Sequence, residues 1–267
     1  MSEQLRVSLV QAASGLEPAG NRELLAATAA DVPAGTDLVV WPEAFARDFG
    51  KAGSDVSAHA ETVWGADGEP GPFAAAVERV AQERSTTVVA GMFETSDDPA
   101  RPWNTLAVAG PGGERASYRK IHLYDSFGYR ESDRLSPGPT SPVTTVEVNG
   151  FVLGLMTCYD LRFPEHARML VDAGAEVLVL PAAWLAGPGK LEHWRTLLAA
   201  RAIENTVFVV AAAQPAPRYT GHSMVLDPMG RLLGEAGDEA GRVDAVLDRA
   251  VLLEARGTNP SLANRRL

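Results

Sequence analysis

The stretch VLGLMTCYDLRFPE, residues 152–165, decides the fold. Its opening residues are apolar on consecutive positions, the pattern of a strand covered on both faces. The run stops at Thr157 and Cys158. Pro164, a residue suited to the first turn of a helix, then opens a helical pattern over 165–172. A strand leading into a helix is the unit of layered α/β folds. Such folds collect ligand sites just beyond the carboxyl ends of their strands. Cys158, the chain's only cysteine, sits there.

The same alternation continues on both sides. Short apolar, β-branched runs predict strands over 5–10, 37–40, 87–93, 105–109, 143–148, 152–156, 177–180, 207–211, 223–226 and 242–247. Helical spacing marks 21–30, with Asn21 as its cap, 73–83 behind Pro72, 165–172, and 191–204. Asn149-Gly150 is a two-residue hairpin signal, and Asp227-Pro228-Met229-Gly230 is another turn. A mixed sheet with antiparallel edges is expected. No linker, charge block or low-complexity stretch divides the chain, so 1–267 reads as one α/β domain. The polar, Gly-rich stretch 49–69 reads as a surface excursion.

Composition narrows the function. A formal charge of −10 argues against a phosphate-binding stripe, and hence against nucleic acid as partner. A single cysteine cannot form an internal disulfide or a multi-thiolate zinc site, and the five histidines show no metal-binding spacing. No metal and no cofactor are expected. No apolar run approaches the roughly 20 residues of a membrane helix, and no leader pattern opens the chain. A cytoplasmic protein with no membrane partner is the expectation.

Two further polar residues share the context of Cys158. Glu43 follows the apolar run DLVVWPE, and Lys120 follows the strand-like ASYRK. Each has an ordinary reading: a small core hydrophobe for the cysteine, a helix N-terminal acid for the glutamate, a snorkelling side chain for the lysine. Together they make coherent chemistry. A thiol attacks a carbonyl as thiolate, a carboxylate can take its proton, and an ammonium or backbone N–H can stabilise the resulting oxyanion. Such oxyanion donors are each worth about 3–4 kcal/mol.

The segments WPEAF (41–45), YRKIHLYD (118–125) and MTCYDLRFPE (156–165) resemble the three signature segments of the nitrilase superfamily of carbon–nitrogen hydrolases, in the family's order. The likeness runs from LVQ (9–11) to PSLANRR (260–266). It implies a four-layer α-β-β-α sandwich that pairs into a homodimer or higher homo-oligomer. It implies a catalytic set of Glu43, Lys120 and Cys158, with the oxyanion held by Lys120 and the backbone N–H of Tyr159. Water would hydrolyse a Cys158 thioester with Glu43 as base. The segment ESDRLSPG (131–138) matches the place of a second family glutamate, here Glu131, which orients the amide and the attacking water.

The residues around the cysteine bear on the substrate. Nitrilases proper resemble Cys-Trp-Glu, where this chain has Cys-Tyr-Asp. N-carbamoyl hydrolases carry adjacent arginines, one of which is Leu161 here. CYDLRFPE is most similar to the branch of ω-amidases and deaminated-glutathione amidases, as are GPGKLEHW, RAIEN and GHSMVLDPMG. The resemblance implies a small amide, possibly carrying a carboxylate, hydrolysed to acid and ammonia. A cation would bind that carboxylate; Arg162, Arg195, Arg218 and Lys190 are candidates, with Arg162 equally able to pair with Asp160 or Glu165. The short loop 214–219 leaves a simple aliphatic amide, or an N-carbamoyl compound, open. Trp184 is expected to line the pocket, with Phe45 and Tyr124 as further candidates. His122 and His193 read as structural, and Asp160 and Glu165 as hydrogen-bond partners holding the turn at Cys158. Two other classes remain: a Cys-His-Asp hydrolase, whose small-x-Cys-x-small elbow residues 156–160 do not supply, and a catalytically silent scaffold subunit.

Overall fold

The computed structural model describes residues 3–51, 53–65 and 67–266. In chain order the first half contains β1 (Gln4–Gln11), α1 (Pro18–Ala30), β2 (Leu38–Val40), α2 (Pro72–Arg84), β3 (Thr87–Glu94), β4 (Trp103–Ala109) and β5 (Arg115–Arg119). A two-residue-per-strand hairpin follows, β6 (Asp125–Ser126) and β7 (Tyr129–Arg130). The second half contains β8 (Thr145–Val148), β9 (Phe151–Leu155), α3 (Pro164–Asp172), β10 (Val177–Val179), α4 (Lys190–Asn205), β11 (Phe208–Ala211), β12 (Met224–Leu226), β13 (Leu232–Glu235), β14 (Gly241–Asp248) and α5 (Arg249–Thr258).

These strands form two six-stranded sheets, ordered β14-β1-β2-β3-β4-β5 and β13-β12-β11-β10-β9-β8. In each, three parallel strands occupy the centre (β1, β2, β3 and β9, β10, β11) and the remaining pairings are antiparallel. Burial explains the continuous apolar runs. Leu9, Val40 and Val89 of one sheet meet Leu155, Val179 and Val210 of the other in a shared core. The opposite face of the first sheet packs on α1 and α2 through Val39, Val88, Leu25, Phe73 and Val77. That of the second packs on α3 and α4 through Leu178, Val209, Leu170 and Leu198. The result is the expected α-β-β-α sandwich.

Prolines set the helix starts: Pro18, Pro72 and Pro164 each open a helix, their fixed φ suiting the first turn. This corrects the reading of Asn21 as a cap. Asn21 lies inside α1, buried. Its amide donates to the carbonyls of Gly15 and Ala46, both at 2.9 Å, and its oxygen accepts from Gly15 N–H at 2.7 Å. It ties the loop before the helix to the loop that follows β2. The helix α5 is an addition; its start is marked by Asp248, whose carboxylate accepts from Ala250 N–H at 2.8 Å. The 49–69 stretch is also less superficial than expected. Val56 and Val63 are buried, and Phe49 stacks edge-on against Phe93 at 5.2 Å.

Candidate active site

Three connections beyond strand ends carry the site. After β2 the chain continues Trp41-Pro42-Glu43. Trp41 is buried under α1, with its indole N–H on Thr28 Oγ1 at 3.0 Å. The loop is stitched to β3: Gly91 N–H donates to Pro42 O at 3.1 Å, and Ala46 N–H donates to Gly91 O at 2.9 Å. The approach is so close that a Cβ on Gly91 would stand 2.5 Å from Ala44 N and 2.7 Å from Glu43 Cα. Ala44 takes φ 53° to follow this path.

Lys120 follows β5 directly, and its N–H bonds Asn104 O at 2.8 Å. Its ammonium lies 2.9 Å from Glu43 Oε1 and 2.9 Å from Glu131 Oε2. Glu131 heads a single 3₁₀ turn and takes Tyr124 N–H at 2.6 Å. The Asn104 amide donates to Glu43 Oε1 at 2.7 Å, and Ala183 N–H to Glu43 Oε2 at 2.7 Å. Glu43, Asn104, Lys120 and Glu131 are each no more than 2% exposed.

Cys158 begins a 3₁₀ turn that follows β9, with φ 47° and its N–H on Pro181 O at 3.0 Å. The left-handed conformation is held by Asp160, which is fully buried. Its carboxylate accepts from Thr157 N–H at 2.8 Å, Tyr118 O–H at 2.6 Å, His122 N–H at 3.0 Å and the His122 ring at 2.7 Å. Tyr118 belongs to β5, so one carboxylate ties the cysteine turn to the lysine strand. His122, Asp160 and His166 come close enough to suggest a metal set. Yet both Asp160 oxygens are already engaged by these donors, and His122 lies flat on Phe163 at 3.7 Å. The cluster is a brace.

The electrostatics assign capacities. Burial, then the Glu43 carboxylate, pushes the Cys158 thiol well above its ordinary pKa, although Lys120 pulls the other way. The resting thiol therefore keeps its proton and needs a base. Burial alone would lower the Lys120 pKa; the Glu131 and Glu43 carboxylates reverse that and hold it well above the usual lysine range. A lysine so held is a permanent cation, unsuited to taking a proton. Burial raises the Glu131 carboxyl, with Lys120 opposing. These side chains open on one cavity of about 180 Å³, bordered also by Tyr124, Trp184, Lys190 and Arg218.

The carbon-nitrogen hydrolase family profile matches residues 6–256. The chain belongs to the carbon-nitrogen hydrolase family. It is a hydrolase acting on carbon–nitrogen bonds. It is 40% identical over 196 residues to a deaminated glutathione amidase of Escherichia coli O157:H7, covering 73% of this chain and 74% of that one. It is similar to a Saccharomyces cerevisiae member of branch 10 of the nitrilase superfamily: TM-score 0.87, 28% identity, 100% of this chain and 98% of the other. It is also similar to an amidase from Nesterenkonia, in a mutant showing covalent addition of the acetamide moiety of fluoroacetamide at the active-site cysteine. There the TM-score is 0.75 at 29% identity, over 98% of this chain and 97% of that one.

In this carbon-nitrogen hydrolase, Glu43, Lys120, Glu131 and Cys158 border one cavity, as does Trp184. Tyr159 turns its ring outward against Tyr124 and Phe163, at 5.0 and 5.4 Å. Phe45 is a correction: it is fully buried in the layer between sheet and helices. Tyr124 does reach the cavity. Arg162 pairs with neither Asp160 nor Glu165; its guanidinium lies over Trp184 at 4.9 Å and meets the His193 ring at 3.4 Å. Glu165 is exposed in the first turn of α3 and makes no hydrogen bond to the cysteine turn. Arg195 is engaged by Glu235 at 2.6 Å, away from the cavity. Sequence reasoning missed Asn104, Phe49, Tyr129 and the Ala183 N–H. Asn104, a lone amide in the apolar run WNTLAVA, carried a signal. A backbone N–H carries none.

No helix among the described residues is long and apolar enough to cross a membrane.

Proposed function

We propose that the protein is an amidase, one catalytic domain over 1–267, that hydrolyses a small amide to a carboxylate and ammonia through a Cys158 thioester. Glu43 takes the thiol proton as Cys158 Sγ attacks the amide carbon. Lys120 and the Tyr159 N–H stabilise the tetrahedral oxyanion. The proton passes to the leaving nitrogen, the C–N bond breaks, and ammonia departs. Glu43 then takes a proton from water, whose oxygen attacks the thioester; the carboxylate product leaves and Sγ regains its proton. Glu131, bonded to Lys120 and to Tyr124 N–H, orients the amide and that water, and Trp184 with Arg162 bounds the acyl side.

One observation carries the reading: the buried Glu43 carboxylate borders the same cavity as the Cys158 thiol and lies 2.9 Å from the Lys120 ammonium. A thiol that rests protonated gains a base, and that base is paired with a cation. The test is ammonia release across a panel of monoamides of dicarboxylic acids, neutral aliphatic amides, N-carbamoyl compounds and a simple nitrile. Intact mass after a short pulse reads the acyl adduct. Release that disappears in Cys158→Ala supports the reading; wild-type turnover in that variant ends it.

A further inference from the structure

Glu43 is held at its carboxylate by Lys120, Asn104 and the Ala183 N–H. Its main chain is held by other groups. The loop after β2 bonds β3 through Pro42 O and Ala46 N–H, which leaves the carbonyls of Glu43, Ala44 and Ala46 to be satisfied. Each is met by a side chain. The Asn21 amide donates to Ala46 O at 2.9 Å, Ser14 Oγ donates to Ala44 O at 3.0 Å, and the Gln214 amide donates to Glu43 O at 3.0 Å.

Gln214 comes from the far side of the site. It follows β11 in the second sheet and is fully buried. Its backbone N–H donates to the carbonyl of Ala182, the residue before Ala183, at 3.0 Å. The second sheet therefore grips Glu43 twice: the carboxylate through the Ala183 N–H, and the main chain through the Gln214 side chain. Both hydrogens of that amide are used, one on Glu43 O and one on Ser14 Oγ at 2.9 Å, and its oxygen accepts the Ser14 N–H at 3.1 Å. Neither Gln214 nor Ser14 borders the cavity, so neither is placed to touch a substrate lying there.

The bond falls where the backbone is strained. Ala44 has φ 53°, a left-handed value that a residue with a Cβ holds only when its surroundings impose it. The peptide between Glu43 and Ala44 sets that angle. Turning this peptide over returns Ala44 to negative φ and carries Glu43 O away from Gln214. The same turn rotates the chain at Glu43 Cα and moves the side chain. Gln214 thus holds the carbonyl whose rotation would relieve the strain.

We infer that Gln214, seated on Ser14, is a positioning residue for the catalytic base: it locks the Glu43–Ala44 peptide and so fixes where the Glu43 carboxylate stands relative to Cys158. This rests on the reading of Glu43 as the base of an amidase.

The experiment is a double-mutant cycle between Glu43→Gln and Gln214→Met, which keeps the side-chain volume and removes the donors. With Glu43 in place, Gln214→Met is expected to lower kcat about 10- to 100-fold, the cost of misplacing a reacting group by about 1 Å. KM should stay within about threefold. In Glu43→Gln the same change should alter kcat by less than about threefold, because no base is left to misplace. A residue that merely holds the fold costs the same factor in both backgrounds. Ser14→Ala removes one hydroxyl and should move kcat in the same direction by less; it decides alone if Gln214→Met does not fold. A second readout needs no turnover. Glu43 helps to hold the Cys158 thiol protonated to high pH, so thiolate absorbance should appear at lower pH in Gln214→Met, as in Glu43→Gln. Equal factors in both backgrounds, or a loss confined to KM, overturns the inference. If wild type cleaves no amide, or Glu43→Gln turns over like wild type, the reading beneath it fails and the titration alone decides. An earlier thiolate in Gln214→Met then sustains Gln214 as the group that places Glu43 beside the thiol, and an unmoved one removes it.

Discussion

The backbone N–H of Ala183 donates to Glu43 Oε2 at 2.7 Å. Glu43 comes from the first sheet and Ala183 from the connection after β10 in the second, so this bond joins the carboxyl ends of the two sheets across the site. With Lys120 and Asn104 on the other oxygen, the carboxylate has no rotational freedom left to it. Such fixation is what general-base geometry requires.

Glu43→Gln tests that fixation with almost no change of shape. The amide cannot accept a proton, and its NH₂ must turn towards either Ala183 N–H or the Lys120 and Asn104 donors. We expect kcat/KM for ammonia release to drop by about 10²–10⁴, the usual range for loss of a positioned base. Glu131 still pairs with Lys120, so the thermal midpoint should move little by comparison. A variant within tenfold of wild type would remove Glu43 from the role of base.

The same substitution has a second, opposite-looking effect on the thiol. Glu43 is one of the groups holding the Cys158 pKa up, both by its charge and by its hydrogen bond. Removing the charge should let the thiolate form at lower pH, visible as thiolate absorbance in a pH titration blanked against Cys158→Ala. Wild type should show little thiolate until the pH is well above the ordinary thiol range of about 8.5. The variant is thus expected to hold more thiolate and turn over less. A thiol titrating later in Glu43→Gln than in wild type would contradict this account.

Removing the cation is structurally harsher. In Lys120→Met two buried carboxylates face each other with no countercharge. Breaking a buried ion pair by deleting one partner costs about 3–5 kcal/mol. Denaturant midpoints at neutral pH should register that loss, and Glu131→Gln in the same background should recover part of it, because one of the two unpaired charges is then gone. No recovery would show that the destabilisation comes from lost packing.

How far the sequence carried these residues depends on the range of the interaction. Glu43 and Cys158 each follow an apolar run that stops at a polar residue and Lys120 follows the strand-like ASYRK, but the resemblance of their three segments is what singles them out. Pro72 and Pro164 announce helices by chemistry within one turn, and Pro18 carries the same signal for α1, where the Asn21 cap reading overrode it. Asn21 misled because a local rule, capping, competes with a partner at Ala46 that only the folded loop supplies. Arg218 was a free cation in sequence and is engaged by Asp48, 170 positions away. Among the described residues Lys190 meets no carboxylate, only the Tyr124 hydroxyl at 3.1 Å and ring faces. That was equally invisible, since a missing partner can be recognised only once every neighbour is in place.

Asp160 offers a pH-dependent test of the brace behind Cys158. Burial would raise its carboxyl, but the hydrogen bond from the His122 ring, the His166 charge and the Tyr118 and Thr157 bonds together hold it below the usual aspartate value of 3.8. A depressed carboxyl stabilises the fold above its unfolded pKa and loses that contribution as pH falls through the folded value. Asp160→Asn should therefore cost about 1–3 kcal/mol at neutral pH. In paired urea melts the deficit should shrink below about pH 4. A deficit independent of pH would assign the cost to shape alone.

Gly91→Ala separates positioning from stability. The added methyl would meet backbone, Ala44 N at 2.5 Å and Glu43 Cα at 2.7 Å, which cannot rotate away as a side chain could. β3 is paired on both sides, with β2 and β4, so the looser Trp41–Ala46 connection is the part that must yield. A shift of even about 1 Å there carries Glu43 out of reach of the thiol, and misplacement on that scale can cost about 10²-fold in rate. We expect kcat to fall by that order, with the Glu43–Ala183 bond broken. Overpacking costs about 1–3 kcal/mol, so the melting transition should survive. Full activity in Gly91→Ala would mean that the loop has slack the close approach denies.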